Sequence, residues 1–314
     1  MESATAPTAR ARRGAPGFRA APVPQLVLYG LIGLLFAAAA IAWLVTDERM
    51  RGMDAGPGTD PGAFGFYVTV WVVMMAAMMF PSIWPMVVMY TRVQAGQRNR
   101  GHPESTGGTP PFVAGYLVTW TAAGLVAYAI LQAGRAVDPE VLAWDRAGPY
   151  VAGAVIVAAA LYQLTPLKDA CLTRCRSPFF FLLEAWKPGR LGALRMGIEH
   201  GGWCVGCCWA LMAALFALGV MSVGWMAFIA GLIAIEKLLP WKAVANRGIA
   251  VLLLMLGLAV AFAPEDVPGL TLPDSPEAAR AMEAMGMEPG EAHDDAMEDE
   301  AMGKQDSMKG MDAP

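Results

Sequence analysis

Charge is what this chain of 314 residues has least of: Asp, Glu, Lys and Arg make up 16% of it, against 56% hydrophobic residues. A water-soluble domain disperses its apolar residues, whereas these stand in blocks such as 26–45 and 252–263. Period-two alternation is missing from those blocks, which are rich in Leu, Ala, Gly and Met, so a β-barrel is disfavoured. Helices and closed barrels alone satisfy their backbone hydrogen bonds in hydrocarbon, and a helix needs about 20 apolar residues to cross it. The fold class expected is therefore all-α, a polytopic transmembrane helical bundle. No repeat of 20–50 residues is apparent, which excludes a solenoid and points to one membrane domain. There is also no Gly-x-x-x-x-Gly-Lys-Ser/Thr loop and no phosphorylation domain, so any transport must be passive, ion-coupled or powered by a partner. No catalytic residue suggests itself, and no nucleic-acid partner is expected.

What is present divides into three parts. Residues 1–25 form a basic lead with Arg10, Arg12, Arg13 and Arg19. The apolar run at 26–45 exceeds the usual signal-peptide core of about 7–15 residues, so it reads as a retained first span. Six more candidate spans follow at 64–90, 112–133, 148–165, 198–219, 222–239 and 248–263, about seven in all, which makes 26–263 the membrane domain. The fourth and seventh are short, and the fifth and sixth touch through almost no loop, leaving a re-entrant hairpin as an alternative. Residues 264–314 hold 14 of the 27 acidic residues with only Arg280, Lys304 and Lys309 as bases, which leaves residues 1–263 at a net +7. That segment is short of aromatic and β-branched residues and reads as a disordered acidic tail.

Loop charge supplies an orientation, because Lys and Arg stay on the cytoplasmic side. Basic loops (Arg92, Arg98 and Arg100; Lys168 to Arg195; Lys242 and Arg247) alternate with acidic ones (Asp47, Glu48, Asp54 and Asp60; Asp138, Glu140 and Asp145). The pattern expects a multi-pass protein of a bacterial inner or plasma membrane, with a cytoplasmic N-terminus and an extracytoplasmic tail.

All five cysteines fall between Cys171 and Cys208, as Cys171-x-x-x-Cys175 and as Cys204-x-x-Cys207-Cys208. Thiolates are soft ligands that select Cu(I), zinc or iron-sulfur centres. On the reducing side of a membrane, paired cysteines serve metals or redox chemistry more often than structural disulfides. Residues three or four apart share a helix face, so His200, Cys204 and Cys207 or Cys208 form one stripe of donors. Cys171 and Cys175 complete a site if their loop folds back, with Lys168, Arg174 and Arg176 placing positive charge beside them. The competing reading, cysteine as a small packing residue, fits one isolated Cys better than five beside a histidine. The spacing matches no defined zinc or haem signature.

Methionine is the second signal, at 21 residues. Met74, Met75, Met78 and Met79 occupy one broad face of the second span just before Pro81, with Pro85, Met86 and Met89 beyond. Thioethers bind Cu(I) without deprotonation, so such a row can relay the ion; adaptable packing explains it equally well. Pro81 and Pro85 also free backbone carbonyls there, and broken helices often mark a pathway. In the tail, Met282, Met285, Met287, Met297, Met302, Met308 and Met311 stand among carboxylates, with His293 in their midst. A disordered tail has no core to fill, so capture of a soft metal is the leading explanation there. Its Met-x-Gly-Met-Asp ending looks like the methionine motifs of periplasmic copper-resistance proteins. Glu199, Glu236 and Lys237 are candidate ion-coupling groups, with snorkelling and pairing at helix ends as the alternative. Trp203, Trp209, Trp225 and Trp241 read as interfacial anchors or packing.

The stretches Tyr162-Gln163-Leu164-Thr165-Pro166-Leu167-Lys168 with Cys171 and Cys175-Arg176-Ser177-Pro178, Gly202-Trp203-Cys204 with Gly206-Cys207-Cys208-Trp209-Ala210-Leu211-Met212, Glu236-Lys237, and Met74 to Pro81 together resemble a bacterial domain-of-unknown-function family. Its members are described as predicted metal-binding integral membrane proteins, some labelled copper chaperones. The resemblance covers about 68–240 and implies metal handling. The combined expectation is a membrane protein that binds a soft metal, Cu(I) first and zinc or another soft metal second, in transport, delivery or homeostasis. A lipid bilayer, a metal ion and a metal donor or acceptor protein are its expected partners. Two rivals stand beside transport: a membrane thiol-disulfide oxidoreductase, and an assembly factor that loads a membrane enzyme without moving metal across the bilayer.

Overall fold

The computed structural model describes residues 23–54, 56–57, 63–100, 107–137, 144–273 and 275–284. Among them the secondary structure is helical: α1 (Gln25–Met50), α2 (Phe64–Arg98), α3 (Thr109–Val137), α4 (Gly148–Tyr162), α5 (Pro166–Arg176), α6 (Pro178–Ala185), α7 (Gly189–Leu218), α8 (Val223–Leu238), α9 (Lys242–Phe262) and α10 (Pro276–Ala284). Five of these, α1, α2, α3, α7 and α9, are long and apolar enough to cross a membrane. A sixth crossing follows if α4 and α5, bent 67° to one another, act as one broken span. The seven-span expectation turns on α8, whose 16 residues reach roughly 24 Å at about 1.5 Å per residue, short of a hydrocarbon core of about 30 Å.

Leu34, Ile41, Leu44, Val126, Ile130, Val251, Met255 and Phe262 are all exposed, an apolar surface that fits lipid as its solvent. Inside, α2 and α7 supply about half of the core. Two glycine contacts let helices approach closely, in the manner of small-residue interfaces in membranes. A Cβ on Gly197 of α7 would strike the Phe112 carbonyl of α3, and one on Gly153 of α4 would lie 2.6 Å from the Gly257 carbonyl of α9.

The segment between the fourth and fifth spans, read from sequence as a long loop, folds into α5 and α6. Local rules account for this. The Thr165 hydroxyl accepts the Lys168 N–H at 3.2 Å as an N-cap, Pro166 occupies the first turn of α5, and Pro178 opens α6. α5 packs on α7 and α6 on α2 and α5, burying Leu172, Phe181 and Leu182. Pro81 and Pro85 do not break α2, which runs on as one helix of 35 residues. They still leave the Ala77 and Pro81 carbonyls without their usual partners, because proline has no N–H to donate.

At the opposite end of the bundle, the turn after α7 pivots on Gly219 at φ +112°. Nearby, Asp54 Oδ1 accepts the Gly56 N–H at 3.2 Å and its Oδ2 the Thr271 hydroxyl at 3.3 Å. The chain beyond Pro264 is thus tied to the α1–α2 connection, with Val267 and Leu270 buried. Of the tail positions singled out above, Met282 belongs to α10, while Met285, Met287, His293, Met308 and Met311 lie outside the described residues.

Replacing Gly257 by Leu should force α4 and α9 apart and cost about 1–3 kcal/mol by overpacking. Gly231→Ala, where an added Cβ meets nothing within 4 Å, is the matched control. Thermal unfolding in detergent should show a lowered midpoint for the first variant and an unchanged or raised one for the second.

Candidate metal centre

Cys204 and Cys207 lie one turn apart on the buried face of α7, and α5 brings Cys175 against them. The ligand atoms of these three cysteines all lie within 4.8 Å of one another. With metal–sulfur bonds of about 2.3 Å, three trigonal sulfurs stand about 4.0 Å apart and two linear ones about 4.6 Å, so the cluster is already near a metal-holding geometry. Cys204 and Cys207 are fully buried and Cys175 is 9% exposed. Cys208 borders the group, its Sγ 3.3 Å from that of Cys207. All five thiols are free.

The approach of α5 depends on Gly206. A Cβ there would sit 2.9 Å from the Cys171 sulfur, so the missing side chain is what leaves room for that sulfur in its present position against α7. The Tyr162 hydroxyl donates to the Gly206 carbonyl at 2.6 Å and pins the end of α4, just before α5, to the same point of α7. Cys171 therefore acts as a contact at the edge of the cluster and is not among its converging donors.

Three charged side chains surround the sulfurs out of water. Lys168 Nζ donates to Glu236 Oε2 at 2.7 Å and to the Cys207 carbonyl at 2.6 Å, both partners of the ion pair being fully buried. Lys237, one residue on, donates to Cys204 Sγ at 2.9 Å and to Ser82 Oγ at 3.3 Å. Ser82 in turn donates to the Met79 carbonyl at 2.8 Å, just before Pro81 in α2. Tyr116 of α3 places its hydroxyl 3.0 Å from the same Cys204 sulfur. Lys168 has a carboxylate partner; Lys237 has a sulfur. An isolated ammonium is costly in such a site, and the Cys204 sulfur is its counter-group.

His200 lies one turn from Cys204 on the same buried face but outside the converging group. Its ring stacks between Phe112 and Tyr116, at 6.1 and 6.0 Å, and meets the edge of Phe181 at 5.3 Å. Its Nδ1 is buried with no hydrogen-bond partner among the described residues. Glu199 points elsewhere and forms an ion pair with Lys187 at the surface. Of the basic residues expected beside the thiols, Arg174 lies over the Trp203 ring at 4.6 Å, and Arg176 donates to the Glu236 carbonyl at 3.0 Å and to the Leu239 carbonyl, capping α8. The charge at the sulfurs comes instead from Lys237. Met74, Met75, Met78 and Met79 are all at most 3% exposed and face the bundle interior, so their row does not face lipid. Tyr116, Ser82 and Gly206 were not foreseen as site residues. A glycine flanked by Val205 and Cys207 was the one visible hint.

Gly206→Leu, whose branched side chain has to enter the space Cys171 fills, should separate α5 from α7 and weaken soft-metal binding at least tenfold, whereas Gly202→Leu, where an added Cβ meets nothing within 4 Å, should bind as the native chain does. Isothermal or competition titration of the two purified variants checks this. Lys237→Met removes a charged hydrogen bond of a kind valued at about 1.5–3 kcal/mol. A tenfold or greater loss of affinity in the same titration is expected, with Lys242→Met, whose ammonium bonds Asp169 and Thr173 at the exposed surface, unchanged.

No curated protein matches the chain. No solved structure matches it either. The model of one protein family, PpoB2, described as copper chaperone, matches residues 68–260. That stretch spans α2 to α9 and holds every residue of the centre just described, and the chain belongs to this copper chaperone family.

Proposed function

We propose that the chain is a membrane-embedded Cu(I) carrier that holds the ion on Cys175, Cys204 and Cys207 and passes it to or from a protein partner. The observation that carries this reading is the convergence of three thiols from two helices in a site closed to water. Soft thiolate donors in a low-coordinate cluster suit a monovalent copper ion, and the family description names copper. Zinc prefers a fourth ligand, which Cys208 or His200 would have to supply by moving. Copper is cargo in this scheme, so the site needs to release it as well as bind it. Lys237 serves both ends: it offsets the negative charge of a copper–thiolate complex and occupies the Cys204 sulfur once the ion leaves.

The buried methionine row of α2 favours delivery through the bundle. Met74, Met78 and Ser82 follow at intervals of four and share one face, and Ser82 touches Lys237 at the thiol centre. A row of thioethers at most 3% exposed offers successive weak sites leading to a stronger one. Glu236 with Lys168 forms a neutral pair that holds α5 and α8 in register around the centre, and His200 forms the aromatic wall behind it. The acidic Met-rich tail, with Met282, Met285, Met287, His293, Met308 and Met311, is proposed to gather copper in front of this path, and the seven-span topology with the tail outside is part of the same scheme. Thiol-disulfide exchange is less well supported. It needs in-line access for a partner sulfur, and Cys204, Cys207 and Cys208 are all fully buried.

Protein purified from copper-supplemented cells should lose at least one equivalent of copper per chain when Cys175, Cys204 and Cys207 are changed together to Ser. Equal copper content in the two preparations would sink the thiol-centre reading. Reconstituted vesicles then separate the modes of action: copper uptake supports passage through the bundle, and its absence leaves delivery from the membrane face.

A further inference from the structure

A cavity of about 10 Å³ lies between α1, α2 and the turn joining α7 to α8, lined by Met50, Tyr67, Val70, Trp71, Met74, Val220 and Met221. We propose that it is a second, thioether-only site for one soft monovalent cation, Cu(I) or Ag(I), held by Met50, Met74 and Met221. The three methionines come from three separate parts of the chain, which neither helical periodicity nor sequence spacing brings together. Each is buried, at 2%, 1% and 3% exposure.

The chemistry of the lining selects the ligand. The hydroxyl of Tyr67 is committed to the Gly124 carbonyl at 3.0 Å and the indole N–H of Trp71 to the Trp120 carbonyl at 2.8 Å. Val70 and Val220 offer no donor atom and the phenolic oxygen of Tyr67 is a hard, weakly basic one, so the three thioethers are the soft donors of the described lining. Among the described residues no carboxylate lines it, which disfavours Ca²⁺ and Mg²⁺, since these require oxygen ligands. Neutral sulfur binds Cu(I) and Ag(I) without losing a proton. Tyr67 and Trp71, stacked on one another with ring centroids 5.8 Å apart, form the aromatic part of the lining. The volume is about that of one solvent probe, room for a single atom. Methionine is also the side chain that most readily closes an irregular gap; three of them meeting around an atom-sized space leave it open.

The position places this site in series with the thiol centre. Met74 lies eight residues before Ser82 on the same face of α2, about 12 Å along the axis, with the buried Met78 between them. The proposal takes from the copper-carrier reading only the class of ion; its donors are separate from the cysteines, so either can fail alone.

The test uses the full chain with Cys175, Cys204 and Cys207 changed to Ser, labelled with selenomethionine and titrated with Cu(I). Copper-edge absorption should show copper–selenium scattering, and changing Met50, Met74 and Met221 together to Leu should remove one equivalent of bound copper, leaving any copper on the tail methionines in place. Unchanged stoichiometry in a folded Leu variant would overturn the site. Methyl-carbon NMR of methionine in the cysteine-substituted chain, without the Leu changes, provides a reading that does not depend on how that variant folds. Adding one equivalent of Ag(I) should shift the Met50, Met74 and Met221 resonances together, and three unmoved signals would also overturn the proposal.

Discussion

The ammonium of Lys237, held between the Cys204 sulfur, the Ser82 hydroxyl and the end of α8, is the group around which the interior is arranged. A cation in hydrocarbon must be partnered or it destabilises the fold by several kcal/mol. Its contacts draw α2 and α8 to α7 at one point, and Tyr116 brings α3 to the same sulfur. Lys168 and Glu236 neutralise each other beside it, so the residual electrostatic need of the site falls on the thiols. The polar interior is therefore compact, and the rest of the bundle is free to be apolar.

Close packing makes that arrangement possible. Gly206 leaves room for the Cys171 sulfur against α7, and Gly197 brings the backbones of α3 and α7 together. Where glycine is used in this way, side-chain volume decides the distance between sulfurs. The short helices α5 and α6 matter for a related reason: α5 lies on α7 and α6 on α5 and α2, and together they shield the thiols that α8, too short to run alongside the whole of α7, leaves uncovered.

Much of this was legible in advance where it depends on neighbours in sequence. The long apolar helices, the stripe of His200, Cys204 and Cys207 on one face, and the methionine face of α2 all follow from helical periodicity. The boundaries were less so, because α2 and α7 extend beyond their apolar windows into polar turns. The segment around Cys171 and Cys175 was read as a loop, although Thr165, Pro166 and Pro178 carry the capping chemistry that makes it two helices. Glu199 and His200 are adjacent in sequence, yet one faces Lys187 at the surface and the other the aromatic interior, a difference of 100° around the helix that decides their roles.

The sequence by itself determined the class of the protein and the inventory of its donors: apolar helices, five thiols confined to one region, and methionines both along an apolar helix and in an acidic tail. Only the tertiary structure decided which donors meet. Cys175 joins Cys204 and Cys207 across roughly 30 residues of chain, while Cys171 stops at the edge; Lys237 reaches a sulfur, while Lys168 reaches a carboxylate. Met50, Met74 and Met221 close on one cavity although some 170 residues separate the first from the last. Periodicity is a local property of the backbone, whereas these meetings depend on how closely two helices approach and at what angle, which is settled by packing between residues far apart in the chain.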